Sequence, residues 1–428
     1  MKALATAARG KGVRGFLRRV GTVASRYGLG SHRVANALDC FGQVLSHYGC
    51  AATFPVTATT LAGSNGVIER HRKQGIEFAV HGYQHVDHTQ LPREKQREHM
   101  EKARRLFREK DMAPRGFRAP YLRWNQDTMA AVREAGFLYD ASSAIAWDLT
   151  PDLETPAYRR ALTFYGAVSA AEHPSLPRLN DGLVRIPYSL PDDEALVERL
   201  HLKTEESMSR LWLDILHKTH RLGELFTLGL HPERYFVCEA ALVATLQQAF
   251  LLRPRVWVTR LDDIAQWWTA RMGTKVTITE TEAGLIHVRA QGPEGLTILA
   301  RGVELIPHGV EPWDGKFQTV QQADFLLRAL RRPFIGVSPS SSPRLVGFLR
   351  QQGFIVEVTT HDQNHTQFLD RQQFTELDER PLLSQIEQGE FPLVRFGRWP
   401  QGARSALCVT GDIDALTLWD YAKRLLPC

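Results

Sequence analysis

Cysteine is scarce and shows no pairing pattern. The 428-residue chain holds five, Cys40, Cys50, Cys238, Cys408 and Cys428. This odd, scattered set excludes a disulfide framework or zinc knuckle and fits reduced thiols. No apolar run approaches the ~20 residues of a membrane span, and the N-terminus lacks the apolar core of a signal peptide. Acidic side chains are missing before Asp39, whereas Lys2, Arg9, Lys11, Arg14, Arg18, Arg19 and Arg26 all precede it. Such a tract can make weak peripheral contact with anionic lipid; a solvated surface helix is the plainer reading. Elsewhere acids and bases interleave. A formal net charge of +6 and a pI near 9.1 therefore do not describe a dedicated nucleic-acid binder. These absences predict a soluble, cytoplasmic chain.

What is present is ordinary globular composition, 43% hydrophobic and 23% charged. Apolar residues recur at helical spacing from Val34 to Tyr48. Strands are expected at Ala51–Thr57, Ile76–Val80, Gly116–Tyr121, Phe137–Asp140, Leu183–Pro187, Glu224–Leu230 and Val256–Val258. Helices are expected near 65–74, 92–110, 125–135, 193–222, 238–252 and 261–272, and residues 141–182 read as a long irregular loop. This alternation predicts a parallel sheet or (β/α) barrel. Beyond Gly273, short strands suggest an antiparallel meander and a linker (273–317). An α/β rhythm returns over 318–400, beginning with a helix at 318–330, and 401–428 reads as a strand and a closing helix. The basic segment at 1–33 and the barrel at 34–272 complete the division.

Chemistry concentrates at strand ends. His81-Gly82-Tyr83-Gln84-His85 follows the strand at 76–80 and places two histidines four apart. Neutral imidazole is the commonest protein metal ligand, and this spacing lets two rings converge on one ion. Core or solvated histidines are the plain alternative. Arg118, Asp140 and His231 also end predicted strands, on the rim where barrel enzymes carry their sites. His361 and His365 repeat the spacing in a polar stretch and read as solvated. Pro339-Ser340-Ser341-Ser342-Pro343 reads as a serine helix cap.

Three runs in order carry a resemblance: His81-Gly82-Tyr83-Gln84-His85, Arg118-Ala119-Pro120-Tyr121 and Leu228-Gly229-Leu230-His231-Pro232. Over about residues 34–270 the chain resembles the polysaccharide deacetylases, carbohydrate esterase family 4. The resemblance implies a distorted (β/α) barrel holding a divalent metal, usually zinc, between one Asp and two His. It also implies attack of a metal-bound water on an acetamide, with a second Asp as base and a His as acid. The family's first motif, a strand ending in paired aspartates, is missing from its usual place. Ser405-Ala406-Leu407-Cys408-Val409-Thr410-Gly411-Asp412-Ile413-Asp414 resembles it, and Arg26-Tyr27-Gly28-Leu29-Gly30 looks like the stretch that follows. The expectation is a circular permutation in which the C-terminal strand enters the barrel; the alternative is that both aspartates cap the last helix.

On this resemblance His81, His85 and Asp414 are the metal ligands and Asp412 is the base, oriented by Arg118. The Tyr121 backbone N–H stabilises the oxyanion and His231 is the acid. Trp124, Trp147 and Asp140 are candidate substrate contacts, while Asp87 and His88 are candidate partners of the ligands. The substrate expected is an N-acetylated carbohydrate or lipid-linked glycan precursor. A non-catalytic carbohydrate-binding relative and a metal-dependent amidase for a non-sugar amide remain as alternatives.

Overall fold

The computed structural model describes residues 30–64, 66–306 and 310–423. The basic segment before Gly30 lies outside them. The fold is mixed α/β, built on a largely parallel sheet. Its strands run in the order Arg178–Asn180, Leu183–Leu190, Tyr139–Ala146, Gly116–Phe117, Glu77–Val80, Ala52–Val56, Ser405–Thr410 and Leu225–Gly229. Only the first pair is antiparallel. The strand Ser405–Thr410 lies between Ala52–Val56 and Leu225–Gly229 and is parallel to both. The sheet curls until its edges meet. There Thr227 Oγ1 donates to the Pro187 carbonyl at 2.6 Å, and its N–H reaches Ser189 Oγ at 3.3 Å. A side chain thus bridges a gap that no backbone ladder closes, giving a distorted barrel.

The strands Ala52–Val56, Glu77–Val80 and Ser405–Thr410 are buried at every position, as parallel strands covered on both faces require. Helices His32–His47, Arg93–Glu109, Glu205–Leu222 and Tyr235–Leu251 pack around them, burying Phe41, Phe107, Trp212 and Leu242. A polar group plugs the barrel interior. Glu77 accepts from Thr53 Oγ1 at 2.6 Å, Tyr139 Oη at 2.8 Å and the Asp262 N–H at 3.1 Å. The Tyr139 ring occupies the space where a Cβ on Gly116 would sit, so that strand needs glycine there.

Several expected elements take another form. About half of residues 141–182 is regular: the strand Tyr139–Ala146 runs on, and Pro156–Tyr165 is a helix. Thr155 caps that helix by accepting the Tyr158 N–H, with Pro156 in its first turn and Gly166 at φ 62° after it. The expected helix at 193–222 is broken. A π-helical turn at Ala195–Arg199 and His201 at φ 57° precede the helix Glu205–Leu222. The expected helix at 318–330 is two strands, Gln318–Val320 and Asp324–Arg328. In the second, Phe325 and Leu327 alternate with exposed Asp324 and Arg328 and half-buried Leu326, and face a small core with Val288. His365 is not solvated: it begins a strand, is buried, and its Nε2 lies 3.0 Å from Glu357 Oε2.

Beyond the barrel stand two four-stranded sheets and a three-stranded parallel one. The strands Asp324–Arg328 and Leu393–Phe396 pair back with Ile286–Gln291 and Ile298–Arg301, so ladders cross residue 317. This part shares a core with the barrel in which Trp268, Trp399, Ile335 and Leu349 meet Val184, Leu225 and Ala406. Those barrel residues lie at strand starts, which places the added segment beneath the barrel, away from its chemical rim. Among the described residues, no helix is long and apolar enough to cross a membrane.

Candidate metal centre

His81 follows the buried strand Glu77–Val80, and its N–H bonds to the Val56 carbonyl at 2.9 Å. Gly82, at φ 81°, turns the chain so that His85 returns beside His81. The short helix Ala58–Ala62 fixes that turn. Its first N–H groups donate to the carbonyls of Gly82 and Tyr83 at 3.0 and 3.1 Å. Thr60 Oγ1 on the same helix donates to the Asp414 carbonyl at 3.0 Å. One helix N-terminus therefore positions both the histidine turn and a segment from the far end of the sequence.

That segment leaves the strand Ser405–Thr410 along the first barrel strand. The Ile413 N–H donates to the Pro55 carbonyl at 2.7 Å, and Ile413 is buried. Gly411 lies so close to Leu230 that a Cβ there would overlap its carbonyl. With Ile413 turned into the core, Asp412 and Asp414 both face the rim. Asp414 Oδ1 stands 3.4 Å from His81 Nε2 and 3.4 Å from His85 Nε2. Two ligands on arms of about 2.0–2.1 Å at a tetrahedral angle are separated by about 3.3 Å. The donor set and its spacing therefore fit a divalent cation. His81 Nδ1 lies 2.9 Å from the Arg118 carbonyl, a bond that leaves the Nε2 lone pair facing Asp414.

Asp412 lies behind this triad. Arg118, fully buried, donates from Nη1 to Asp412 Oδ1 at 2.8 Å and to Thr410 Oγ1 at 3.1 Å, and from Nε to the Ala141 carbonyl at 3.0 Å. Its guanidinium covers the Tyr188 ring at 4.6 Å. Burial pushes the Asp412 carboxyl up, but the charges of His81 and Arg118 outweigh it and hold it below the usual aspartate value. Across the rim, His231 Nδ1 lies 2.7 Å from Asp193 Oδ1. Burial disfavours the imidazolium, yet the Asp193 charge and hydrogen bond raise the pKa to about 10. Asp193 itself, opposed by burial but paired with His231 and Arg234, is lowered to about 2.

Asp192 and Asp193 were not foreseen from the sequence. The signal was a paired acid straight after the strand Leu183–Leu190, at the same rim as His231. Three expected substrate contacts are repositioned. Asp140 is fully buried, with its carboxylate taken by Arg185 Nε at 2.8 Å and by Ser142 Oγ. Ser142 Oγ also accepts the Ala119 N–H at 2.8 Å, so Asp140 braces the Arg118 turn from below. Trp147 is 4% exposed and sits in the core. Trp124 is half-buried, and the Arg185 guanidinium covers its ring at 4.0 Å. Tyr121 adopts φ 59°, ψ 14° and sets its ring edge-on to His85 at 4.3 Å. Asp87 accepts the Thr89 N–H at 3.0 Å and Arg123 Nε at 2.8 Å. Asp87 thereby caps the short turn His88–Gln90, the plainer reading of its position, and His88 is buried and stacked on Phe117 at 5.6 Å.

Residues 32–139 match the family model for polysaccharide deacetylase. The match takes in His81, His85, Arg118 and Tyr121 and leaves out His231, Asp412 and Asp414. A peptidoglycan deacetylase-like protein of Gibberella zeae is 36% identical over 91 residues, 21% of this chain and 24% of that protein. A chitooligosaccharide deacetylase of Bradyrhizobium is 31% identical over 144 residues, 33% and 62% of the two chains. The chain thus spans less than two thirds of each of these relatives. Among solved structures, a candidate polysaccharide deacetylase from Mycobacterium smegmatis superposes with TM-score 0.46 at 24% identity, covering 63% of this chain and 88% of that one. The Puue allantoinase gives 0.43 at 22%, covering 53% and 70%.

Proposed function

We propose that this chain is a metal-dependent hydrolase that removes the acetyl group from an N-acetylated sugar of a glycan or glycan precursor. The observation that carries the reading is the meeting of Asp414 with His81 and His85, at 3.4 Å each, across more than three hundred residues of sequence. His81, His85 and Asp414 would hold the ion, with zinc favoured by two imidazoles and a carboxylate. A divalent cation held there lowers the pKa of water and polarises a carbonyl oxygen.

The remaining roles belong to the chain. Asp412, kept ionised by Arg118, takes the proton from the attacking water. Tyr121, in its left-handed turn beside His85, presents its backbone N–H toward the developing oxyanion. His231, kept protonated by Asp193, gives its proton to the departing amine. An ionised carboxylate and an imidazolium facing each other across the rim form the base–acid pair that amide hydrolysis requires.

The same geometry supports a circular permutation, with residues 401–428 completing the barrel formed by 34–272. The C-terminal strand lies between the two strands it would join in an unpermuted chain, parallel to both. The test is a rearranged gene that places residues 401–428 ahead of residue 1, assayed for acetate release from N-acetylated sugar oligomers. A folded, active product is expected. A folded product that releases no acetate, set against an active parent, would refute the permutation. Absence of acetate release from the parent would refute the deacetylase reading.

A further inference from the structure

The helix Tyr235–Leu251 is apolar on its inner and its outer side. The inner face buries Tyr235, Cys238, Leu242, Leu246 and Ala249 in the barrel's core. The outer face carries Phe236, Val237, Phe250 and Leu251, 55%, 48%, 41% and 64% exposed, with half-buried Ala240, Val243 and Ala244 between them. Glu239 is the one charged residue in the helix, and its Oε1 accepts Tyr235 Oη at 2.8 Å. A helix that is hydrophobic all round belongs in an interior, covered on every side, and a contiguous apolar patch rimmed by polar residues marks a contact surface. The groove beside this helix has the same texture. Val44 and Tyr48 of the helix His32–His47 line it together with Val243, and the Tyr48 ring stacks on Phe250 at 5.7 Å.

The geometry points to a second copy of this chain as the occupant of that face, with the two Tyr235–Leu251 helices packed antiparallel about a two-fold axis. The outer residues are placed symmetrically about the point between Val243 and Ala244. Phe236 and Val237 mirror Leu251 and Phe250, Ala240 mirrors Gln247, and Val243 mirrors Ala244. A two-fold axis through that point sets each residue against its mirror on the other copy, the condition for an isologous contact. Bulky side chains then meet at both ends, while Ala240, Val243 and Ala244 let the helix axes approach where they cross. Glu239 mirrors Gln248, so no carboxylate is set against another. At 1.5 Å per residue the helix is about 25 Å long. With the groove beside it the face is about 20–25 Å wide, so a pair buries on the order of 1,000–1,200 Å² in all, enough for a specific contact at the small end of the range. An anionic membrane is the poorer fit. Interfacial helices carry Lys and Arg on their polar face, and Tyr235–Leu251 has neither. The pairing does not depend on the chemistry of the metal centre.

The test is sedimentation velocity on the full chain over about 0.1–100 µM, which reads the dissociation constant of the dimer. Wild type should be dimeric within this range. Phe236→Glu and Leu251→Lys, made singly, should each raise the dissociation constant at least about thirty-fold, the worth of one buried anchor. Both side chains are more than half exposed in one copy, so circular dichroism should show each variant folded. The double variant Phe236→Glu/Leu251→Lys sets opposite charges together at both ends of the antiparallel pair. It should dimerise at least about five-fold more tightly than either single variant. Wild type that stays monomeric throughout would overturn the pairing, as would a dimer that neither single variant weakens. A double variant no tighter than the single ones would overturn the antiparallel two-fold arrangement. Monomeric wild type that sediments with phosphatidylserine vesicles, in a way Phe236→Glu abolishes, would assign the face to lipid and overturn the pairing as well.

Discussion

Replacing Asp193 with Asn should turn the proposed acid off without moving it. Asn keeps the size and an acceptor for the His231 backbone N–H, which reaches Asp193 Oδ2 at 3.1 Å. It removes the charge that carries the His231 pKa from 6.5 to about 10 against burial. With that charge gone, burial and the neighbouring Arg234 favour the neutral ring, the Glu233 charge alone among the main contributions opposes them, and the pKa should fall back toward 6.5. At about pH 8, a group with a pKa near 6.5 is only about 3% protonated, so the competent fraction falls about thirty-fold. In wild type, activity should hold through neutral pH and decline only as pH rises through about 10. In Asp193→Asn the alkaline decline should begin below neutrality, with activity partly recovered under mildly acidic conditions. The assay is a pH profile of kcat/KM alongside NMR titration of the His231 ring, with thermal denaturation to confirm folding. A folded variant in which His231 still titrates near 10 would refute the assignment of Asp193 as the group that sets it.

Other substitutions probe other parts of the site. Arg118→Ala leaves Asp412 buried without its partner and should cost about 3–5 kcal/mol, read by urea denaturation; a loss under about 1 kcal/mol would contradict the ion pair's structural role. Gly411→Ala sets a Cβ against the Leu230 carbonyl and should destabilise by about 1–3 kcal/mol or more while lowering metal affinity, because Asp412 and Asp414 must shift with the backbone. His88 is buried and lowered from 6.5 to about 3, first by burial and then by the charges of His99 and His81. The unfolded chain therefore binds a proton there below pH 6.5 that the native chain refuses until about pH 3. Stability from this group is full above 6.5 and is lost as pH falls through that window. In Phe-substituted His88 the decline in melting temperature across it should be shallower, and an unchanged slope would show that other groups carry it.

Strand-end chemistry was the legible part of this sequence. His81, Arg118 and His231 follow short apolar runs bounded by Gly or Pro, so their shared rim could be read from alternation alone. Asp412 and Asp414 were legible only because an apolar strand precedes them; their partners are set by a ladder that no local pattern reports. The helix Pro156–Tyr165 is marked in the sequence by Thr155, Pro156 and Gly166 at its ends, but the surrounding Pro, Ala and Ser mask that signal. Residues 318–330 hold two strands in place of the expected helix, because Phe325 and Leu327 repeat at a period of two against the small core. Trp147 and Asp140 carried plausible sugar-binding side chains, and only burial, which is a tertiary property, withdrew them.

The central claim is that one ion is held jointly by two histidines from the first half of the chain and an aspartate near its end. Metal content of purified wild type and Asp414→Ala, measured by mass spectrometry after zinc loading and desalting, tests it most directly. About one equivalent in wild type and a large loss in a still-folded Asp414→Ala are expected. Equal metal content in the two proteins would contradict the account.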